Sequence, residues 1–424
     1  MSDTQYCDKV SDFLDLVCGQ IKAKEIHSEI RAGLESHLND IIEQKIKEGV
    51  HKEEAMQQAI RQMGDPILLG KQLHKVHKPK MEWGLIGLVA VFLSIGLTAT
   101  YAISQGQFFS EKIMYTCIGT VLMLFLWFFD YRKFTYFSWY LYMLTLLVMV
   151  YTIIIGSLRD GKLMLNLGGK IIDFISITPY LFIIALAGIM VSNRWKKQSI
   201  LEKFIIFILV PVYLYIESDV TFPLLTYFLS FMILLVSSKR SWKEFVCLIT
   251  PVIVFFLVFV LGSPYRTYIL LHPYDHHPDR NLQSLETIRF AGMWGHGFES
   301  PFIKSFFNIQ SDMIFTYVIH SFGWFMGIII FVSSVFFVFR IMGVARMVGD
   351  VYGKLIVIGI LTVFSAQFFS HILMSIGLVP WTGIPLPFIS NYGGVQFIVQ
   401  LAAIGMILSI YRRKDIITKR FTLT

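Results

Sequence analysis

Ten apolar segments follow one another between residues 83 and 411, with polar stretches between them. A helix needs about 20 residues to cross about 30 Å of hydrocarbon. Most of the segments have that length, although those that begin at 176, 203 and 222 are shorter. The pattern predicts an all-α polytopic membrane protein with about ten transmembrane helices. The segments are 83–103, 112–129, 134–156, 176–191, 203–217, 222–237, 244–262, 313–339, 355–377 and 388–411.

The composition also indicates that most of the chain is surrounded by lipid. Hydrophobic residues make up 55% of the 424 residues and charged residues 16%, against about 45–50% and about 25% in soluble proteins. The four cysteines have no ligand-like spacing. These features exclude a single soluble enzyme, a disulfide-rich secreted scaffold and a disordered chain. The net charge of +8 is typical of membrane orientation and anionic headgroups, and we expect no nucleic-acid partner.

The distribution of Lys and Arg predicts the orientation in the membrane. If the N-terminal region lies inside, the short inner stretches hold 21 Lys and Arg residues and the outer stretches hold 8. Basic residues accumulate on the cytoplasmic side, so both termini are expected in the cytoplasm, including a tail at 413–424. The long connection 263–312 is then extracytoplasmic, and long loops on rigid scaffolds often carry function.

Residues 1–80 predict a small cytoplasmic helical domain ahead of the membrane region at 83–412. Apolar residues from Ile26 to Ile42 recur at spacings of three and four, and Asp65-Pro66 is a start signal for a further helix. The stretch "MGDPILLGKQL" resembles the helical domain of bacterial membrane proteins encoded with PadR-type regulators. The alternative is a generic helical bundle used for solubility or docking.

Two aspartates lie at outer boundaries of the apolar segments. Asp312 directly precedes Met313-Ile314-Phe315, and Asp219 separates two segments. On position alone, each is a candidate helix cap.

The long connection contains residues that suit a metal or close packing. Adjacent histidines point in different directions, so a solvated loop is favoured over a metal site. The glycines are expected to allow close backbone packing. The residues considered are His272, Asp275, His276, His277 and Asp279 for a metal, and Gly292, Gly295 and Gly297 for packing.

The stretch "GLVPWTGIPLPFISNYGG" at 377–394 resembles the signature of the SEDS proteins, the shape, elongation, division and sporulation family that includes FtsW, RodA and SpoVE. That signature reads approximately G-x-x-P-x-T-G-x-P-L-P-F-x-S-Y-G-G, with Asn391 as a one-residue insertion here. Further matches follow in the family's order, and the resemblance spans about residues 84–412. They are Arg266, Gln283-Ser284, the glycine series, the aspartate of "SDMIF" and Asp219.

The resemblance implies a peptidoglycan glycosyltransferase in the bacterial cytoplasmic membrane, acting in division, elongation or sporulation. Its substrate would be lipid II, an undecaprenyl-diphosphate-linked disaccharide pentapeptide, and its partner a class B penicillin-binding transpeptidase. Asp312 would be the catalytic carboxylate, and a divalent cation, Mg²⁺ or Mn²⁺, is a candidate cofactor. Substrate contacts are implied for Arg266, Gln283, Ser284, Asp219, Pro385, Pro387, Ser390, Tyr392 and Gly393.

Several positions depart from the family's pattern, and each removes an ionisable group. The second candidate function is therefore a non-catalytic regulator or scaffold that binds a lipid-linked precursor or a transpeptidase. A transporter is disfavoured because the apolar segments are almost free of charge. The departures are Tyr180 and Leu181 in place of Ser-Glu, Leu163-Met164 in place of Arg-Trp, His320-Ser321 in place of two glutamates, and Gln310 in place of a histidine.

Overall fold

The computed structural model divides into two compact units, one formed by residues 1–81 with those from 412 onward and the other by residues 82–411. The residues that the structure describes are 2–21, 27–76, 81–104, 108–159, 162–168, 170–238, 242–272, 278–298, 309–391 and 394–414.

The described residues of the smaller unit form four helices. The start signal at Asp65-Pro66 is confirmed, because the Asp65 side chain accepts a hydrogen bond of 2.8 Å from the backbone N–H of Ile67 and Pro66 is the first helical residue. The helices are α1 Ser2–Gly19, α2 His27–Lys47, α3 Lys52–Met63 and α4 Pro66–Val76.

One apolar core holds these helices together. It contains Leu38, Ile41 and Ile42 of the stripe predicted in α2, together with small residues of α3 that let the helices approach closely. The first helix, α1, presents its core residues at spacings of three and four. The buried core residues are Val10, Phe13, Leu14, Val17, Leu38, Ile41, Ile42, Ala55, Met56 and Ala59.

In the larger unit, each of the ten predicted apolar segments contains a helix, which confirms the all-α polytopic prediction. Six of the described helices are long and apolar enough to span a membrane: α5, α6, α7, α16, α17 and α18. The helices are α5 Trp83–Ser104, α6 Phe109–Phe128, α7 Phe134–Ile155, α8 Thr178–Val191, α9 Asn193–Lys197, α10 Ile200–Phe204, α11 Val210–Glu217, α12 Thr221–Ser237, α13 Trp242–Leu261, α14 Pro264–Leu271, α15 Pro278–Phe290, α16 Ile314–Met347, α17 Val351–Ser375 and α18 Val395–Arg412.

The fifth apolar segment is irregular, because a π-helical turn, Ile205–Leu209, joins α10 to α11. Pro211 has no N–H and cannot donate to the carbonyl of Phe207 four residues earlier. The hydroxyl of Tyr227 donates to that carbonyl instead, at 2.6 Å. The hydroxyl of Tyr142 likewise donates to the carbonyl of Ile206, at 2.7 Å. Two tyrosines from neighbouring helices thus satisfy carbonyls that the irregular turn leaves open.

Three features differ from the expected pattern. The stretch after α7 forms a small antiparallel sheet of β1 Ser157–Arg159, β2 Lys162–Leu167 and β3 Lys170–Ile172. The long connection 263–312 is not a plain loop, since it contains α14 and α15. The tenth helix begins at Val395 rather than 388, because the signature continues past 388 as a turn.

Candidate functional site

The signature residues from 380 to 391 turn back into the bundle, and most of them are buried. Phe388 has a backbone φ of 63°, a left-handed conformation that costs a non-glycine residue of order 1–3 kcal/mol. The side chain of Gln400 compensates by accepting a hydrogen bond of 3.1 Å from the N–H of Phe388. The Phe388 ring packs within 5.3–6.2 Å of three phenylalanine rings, which fix its position. Those rings belong to Phe92, Phe337 and Phe364.

Ser390 connects this turn to the segment that carries Asp312. Its Oγ accepts a hydrogen bond of 2.8 Å from the N–H of Leu386 and donates one of 2.8 Å to the carbonyl of Ser311. Since Ser311 is the neighbour of Asp312, one hydroxyl fixes the separation between the signature and the candidate catalytic residue.

The inserted residue of the signature makes a second connection to the same segment. The backbone N–H of Asn391 donates to the carbonyl of Gln310 at 2.8 Å, and the Asn391 amide donates to the Gln310 side-chain oxygen at 3.2 Å. Both residues depart from the SEDS pattern. The two residues that depart from the pattern, Asn391 and Gln310, are therefore hydrogen-bonded to each other. These bonds connect the signature to the Asp312 segment.

Asp312 is buried, with 4% of its surface exposed, in the turn that leads into α16. That helix begins at Ile314, and its N-cap residue is Met313, which makes no side-chain cap. Asp312 therefore lies one residue before the cap position, and the interpretation of Asp312 as the cap of this helix is wrong. Its backbone is placed by the two connections to the signature.

The glycine-rich segment of the long connection packs against a break in α16. Gly323 has φ 81° and ψ 176°, so the helix is interrupted there. The interruption frees backbone groups on both sides, and the glycine-rich segment pairs four of them, as the expected close backbone packing requires. The pairs are His296 N–H with His320 O at 2.8 Å, Gly297 N–H with Ser321 O at 3.1 Å, Trp324 N–H with Gly292 O at 3.0 Å and Phe325 N–H with Met293 O at 3.3 Å.

This packing leaves no room for a side chain at the crossing point. A Cβ atom on Gly295 would lie 2.5 Å from the backbone nitrogen of Gly323, and one on Gly323 would collide with the carbonyl of Met293. The glycines thus bring two backbones into direct contact beside the first turns of α16, which follow Asp312.

Ser284 attaches α15 to two membrane helices. The residue is completely buried, and its Oγ lies 2.6 Å from the Thr316 hydroxyl and donates to the carbonyl of Ser375 at 2.7 Å. These bonds give Ser284 a positioning role. Its neighbour Gln283 is half-buried.

The remaining sequence-predicted residues are not brought together in the same way. Asp219 is exposed in the turn between α11 and α12, with φ 52°; within the described residues its carboxylate makes no hydrogen bond or ion pair to the Asp312 segment. Val220 is the N-cap residue of α12, so Asp219 is not its cap. Pro385 and Pro387 are buried in the signature turn.

Some predicted residues lie partly or wholly outside the part of the chain that the structure describes. The backbone of Arg266 lies in α14, but its side chain is outside that part, as are Tyr392 and Gly393. Of the loop residues considered for a metal, Asp275, His276 and His277 also lie outside it. His272 is described, and its ring stacks on Tyr268 at 4.5 Å.

A divalent cation at Asp312 would find few protein ligands. The described residues contain no group of three or more His, Cys, Asp and Glu residues close enough to hold a metal ion. Asp312 offers a single carboxylate, and the adjacent carbonyls of Ser311 and Gln310 already accept hydrogen bonds. Asp312 does not form a metal site by itself, because Mg²⁺ is usually held by one or two carboxylates together with waters and substrate phosphates.

The sequence profile of a family described as "Cell cycle protein", FtsW/RodA/SpoVE, matches residues 79–416. The protein belongs to this family. Stage V sporulation protein E of Bacillus subtilis (strain 168) is 25% identical over 343 residues, which cover 77% of this chain and 93% of that protein. The peptidoglycan glycosyltransferase RodA of Treponema pallidum (strain Nichols) is 33% identical over 136 residues, 31% of each chain.

A solved structure has the same fold. It is described as "Structural coordination of polymerization and crosslinking by a peptidoglycan synthase complex", and it matches with a TM-score of 0.65 and 20% identity over 79% of this chain and 98% of the other. At that identity the likeness establishes the fold of this FtsW/RodA/SpoVE member.

Three side chains outside the sequence-based predictions hold the backbone of the family signature. Lys112 donates to the carbonyl of Ile389 at 2.5 Å, Gln400 accepts from Phe388, and Nδ1 of His371 lies 2.5 Å from the carbonyl oxygen of Ile384. Each is a buried polar residue at the edge or inside of an apolar segment. This position within an apolar segment could have identified them from the sequence, because polar side chains in membrane helices usually face a hydrogen-bonding partner or a functional site.

We expect Ser390→Ala to destabilise the protein by about 1–3 kcal/mol, because it removes two hydrogen bonds and leaves the buried N–H of Leu386 without its acceptor. Thermal unfolding of the purified protein measures this loss. Ser334→Ala is the matched control: Ser334 is also buried, but it donates only to Ile330 of its own helix, so its removal leaves no unpaired donor. Equal effects of the two substitutions would contradict the role given to Ser390.

Proposed function

We propose that this member of the FtsW/RodA/SpoVE family polymerises lipid II into peptidoglycan strands on the outer face of the bacterial cytoplasmic membrane. The observation that carries the proposal is the buried carboxylate of Asp312, in a segment fixed against the family signature by Ser390 and Asn391. Relatives in the same family carry the name peptidoglycan glycosyltransferase.

The reaction needs a group that accepts a proton. A sugar hydroxyl attacks the anomeric carbon of the growing strand's terminal sugar, its proton leaves, and the C–O bond to the lipid diphosphate breaks. A carboxylate within hydrogen-bond reach of that hydroxyl is a suitable base. Asp312 lies in a rigidly held segment, so its geometry does not have to be organised during the reaction.

The same proposal includes a class B penicillin-binding transpeptidase as partner. The support is the fold shared with a peptidoglycan synthase that acts in a complex. We propose that a divalent cation would bind only together with the substrate diphosphate. The diphosphate oxygens would supply the metal ligands that the described residues lack. When bound, such a cation would neutralise charge on the departing diphosphate.

The test is a polymerisation assay with the purified full-length protein, lipid II and a candidate class B transpeptidase, with glycan strands resolved by gel electrophoresis. Strands longer than the disaccharide are expected with the protein present and absent with the transpeptidase alone. If no strands form under conditions in which another family member polymerises lipid II, the catalytic proposal fails.

A non-catalytic regulator or scaffold would then be the better explanation. Two observations favour that second function. At each of two positions, a side chain of different chemistry replaces the serine or the carboxylate of the family pattern. Tyr180, at the family's serine position, is buried and donates to the Gln367 side chain at 2.7 Å. The His320 ring lies 5.2 Å from that of His296, where the family has a carboxylate.

The orientation of the termini and the role of the smaller unit are part of the proposal. The charge distribution supports a cytoplasmic smaller unit that docks a partner or regulates the membrane unit. In a cysteine-free background, we expect Arg289→Cys to react with an impermeant thiol reagent added to intact cells, and Arg346→Cys to react only after lysis. Both arginines are exposed, so exposure does not bias the comparison. The reverse labelling pattern would overturn the orientation.

A further inference from the structure

The most unusual charged group of the membrane unit is Lys112, at the beginning of α6. Only 1% of its surface is exposed. Its ammonium donates to the carbonyl of Ile389 at 2.5 Å and lies 5.7 Å from the centre of the Phe397 ring. The proposed orientation places this end of α6 on the outer side of the membrane.

No counter-charge to this ammonium is present among the described residues. No carboxylate there forms an ion pair with Lys112, and the adjacent Glu111 is exposed. Of the three N–H donors of the ammonium, one is used by Ile389. A buried charge without a partner is costly, so an anion that binds here would gain the full interaction with a desolvated cation.

The surroundings of Lys112 connect it to the candidate catalytic residue. Ile389 precedes Ser390, whose hydroxyl is bonded to Ser311, the neighbour of Asp312. Lys112 and the Asp312 segment therefore contact two consecutive residues of the signature.

We propose that Lys112 binds a phosphate group of a polyprenyl-diphosphate ligand at the signature. This proposal rests on the proposed function for the identity of the ligand, and it assigns to Lys112 the cationic contact with the diphosphate. Lysine is a suitable partner because its compact charge and its two remaining donors match phosphate oxygens. The bond to Ile389 holds the ammonium at the signature before the ligand arrives.

The test is a binding measurement with the purified full-length protein in nanodiscs, with undecaprenyl diphosphate, undecaprenol and inorganic diphosphate as probes. Three substitutions separate charge from hydrogen bonding: Lys112→Arg keeps the charge, Lys112→Gln keeps a neutral donor, and Lys112→Met keeps only the length. Lys133→Met is the control, because Lys133 also lies over a phenylalanine ring, at 5.5 Å from Phe129, but is exposed in the connection between α6 and α7.

We expect Lys112→Met and Lys112→Gln to weaken undecaprenyl diphosphate binding by about 10- to 100-fold, the range of a charge-assisted hydrogen bond. Lys112→Arg and Lys133→Met should change it by less than about 3-fold, since both keep a cation at residue 112, and undecaprenol binding should not respond. Competition by inorganic diphosphate would identify the diphosphate rather than the lipid as the recognised group.

Two results would overturn this assignment. If Lys112→Gln binds undecaprenyl diphosphate as the wild type does, the charge of Lys112 is not needed, and the residue only holds the signature backbone through a hydrogen bond. If Lys112→Met also binds normally while the wild type polymerises lipid II, the proposed function stands and the Lys112 assignment fails. Conversely, a wild type that binds undecaprenyl diphosphate through Lys112 but forms no strands would remove the catalytic proposal and leave this one.

Discussion

Asp312→Asn is expected to lose at least about 99% of lipid II polymerisation, because general acid–base catalysis contributes about 10²- to 10⁴-fold. The substitution keeps the size of the side chain and most of its hydrogen-bonding capacity, so only the charge and the proton-accepting ability are removed. Thermal stability should stay close to that of the wild type. The measurement is the initial rate of strand formation at saturating lipid II.

Asp350→Asn provides the matched control for this substitution. Asp350 is the N-cap residue of α17 and accepts hydrogen bonds from the N–H of Gly353 and the hydroxyl of Tyr131. Asparagine caps a helix about as well as aspartate, so this variant should polymerise within a few-fold of the wild type. If Asp312→Asn polymerises as fast as Asp350→Asn, the carboxylate of Asp312 has no catalytic role.

Gly323→Ala is expected to release the glycine-rich segment from α16 and to abolish most of the activity. Alanine in this left-handed conformation is strained by about 1–3 kcal/mol, and its Cβ would collide with the backbone of Met293. The backbone must therefore separate, and the four hydrogen bonds across the break are lost together. Hydrogen–deuterium exchange should accelerate at the amides of His296 and Trp324 by at least about 100-fold, which corresponds to about 3 kcal/mol at RT ln 10 of about 1.4 kcal/mol.

The same helix offers a control with the opposite expectation. Gly343 lies in regular helix, with no atom within 4 Å of the position a Cβ would take. Gly343→Ala should stabilise the helix by up to about 1 kcal/mol and leave exchange at the break unchanged. If Gly323→Ala exchanges as slowly as this control, the backbone contact at the break does not hold the segment.

The helices themselves follow from local pattern. The length of an apolar run and the spacing of its residues depend only on neighbours in the sequence, so the ten segments and the start at Asp65-Pro66 were predictable. The irregular points within the helices have a different origin. The π-helical turn follows from the missing N–H of Pro211, and the break at Gly323 needs a second chain segment to pair the groups that it exposes.

The sequence alone determined the family, which segments are apolar enough for lipid, and which residue types are candidates for catalysis. These properties depend on composition and short motifs. Only the tertiary structure decided which polar groups meet. Lys112 and Ile389 are 277 residues apart, and Gln310 and Asn391 are 81 apart. In a helix bundle with little water, buried polar groups must form hydrogen bonds with whichever groups the packing brings near them. Local sequence patterns do not predict which groups those are. The two departures at Gln310 and Asn391 form one hydrogen-bonded pair for this reason.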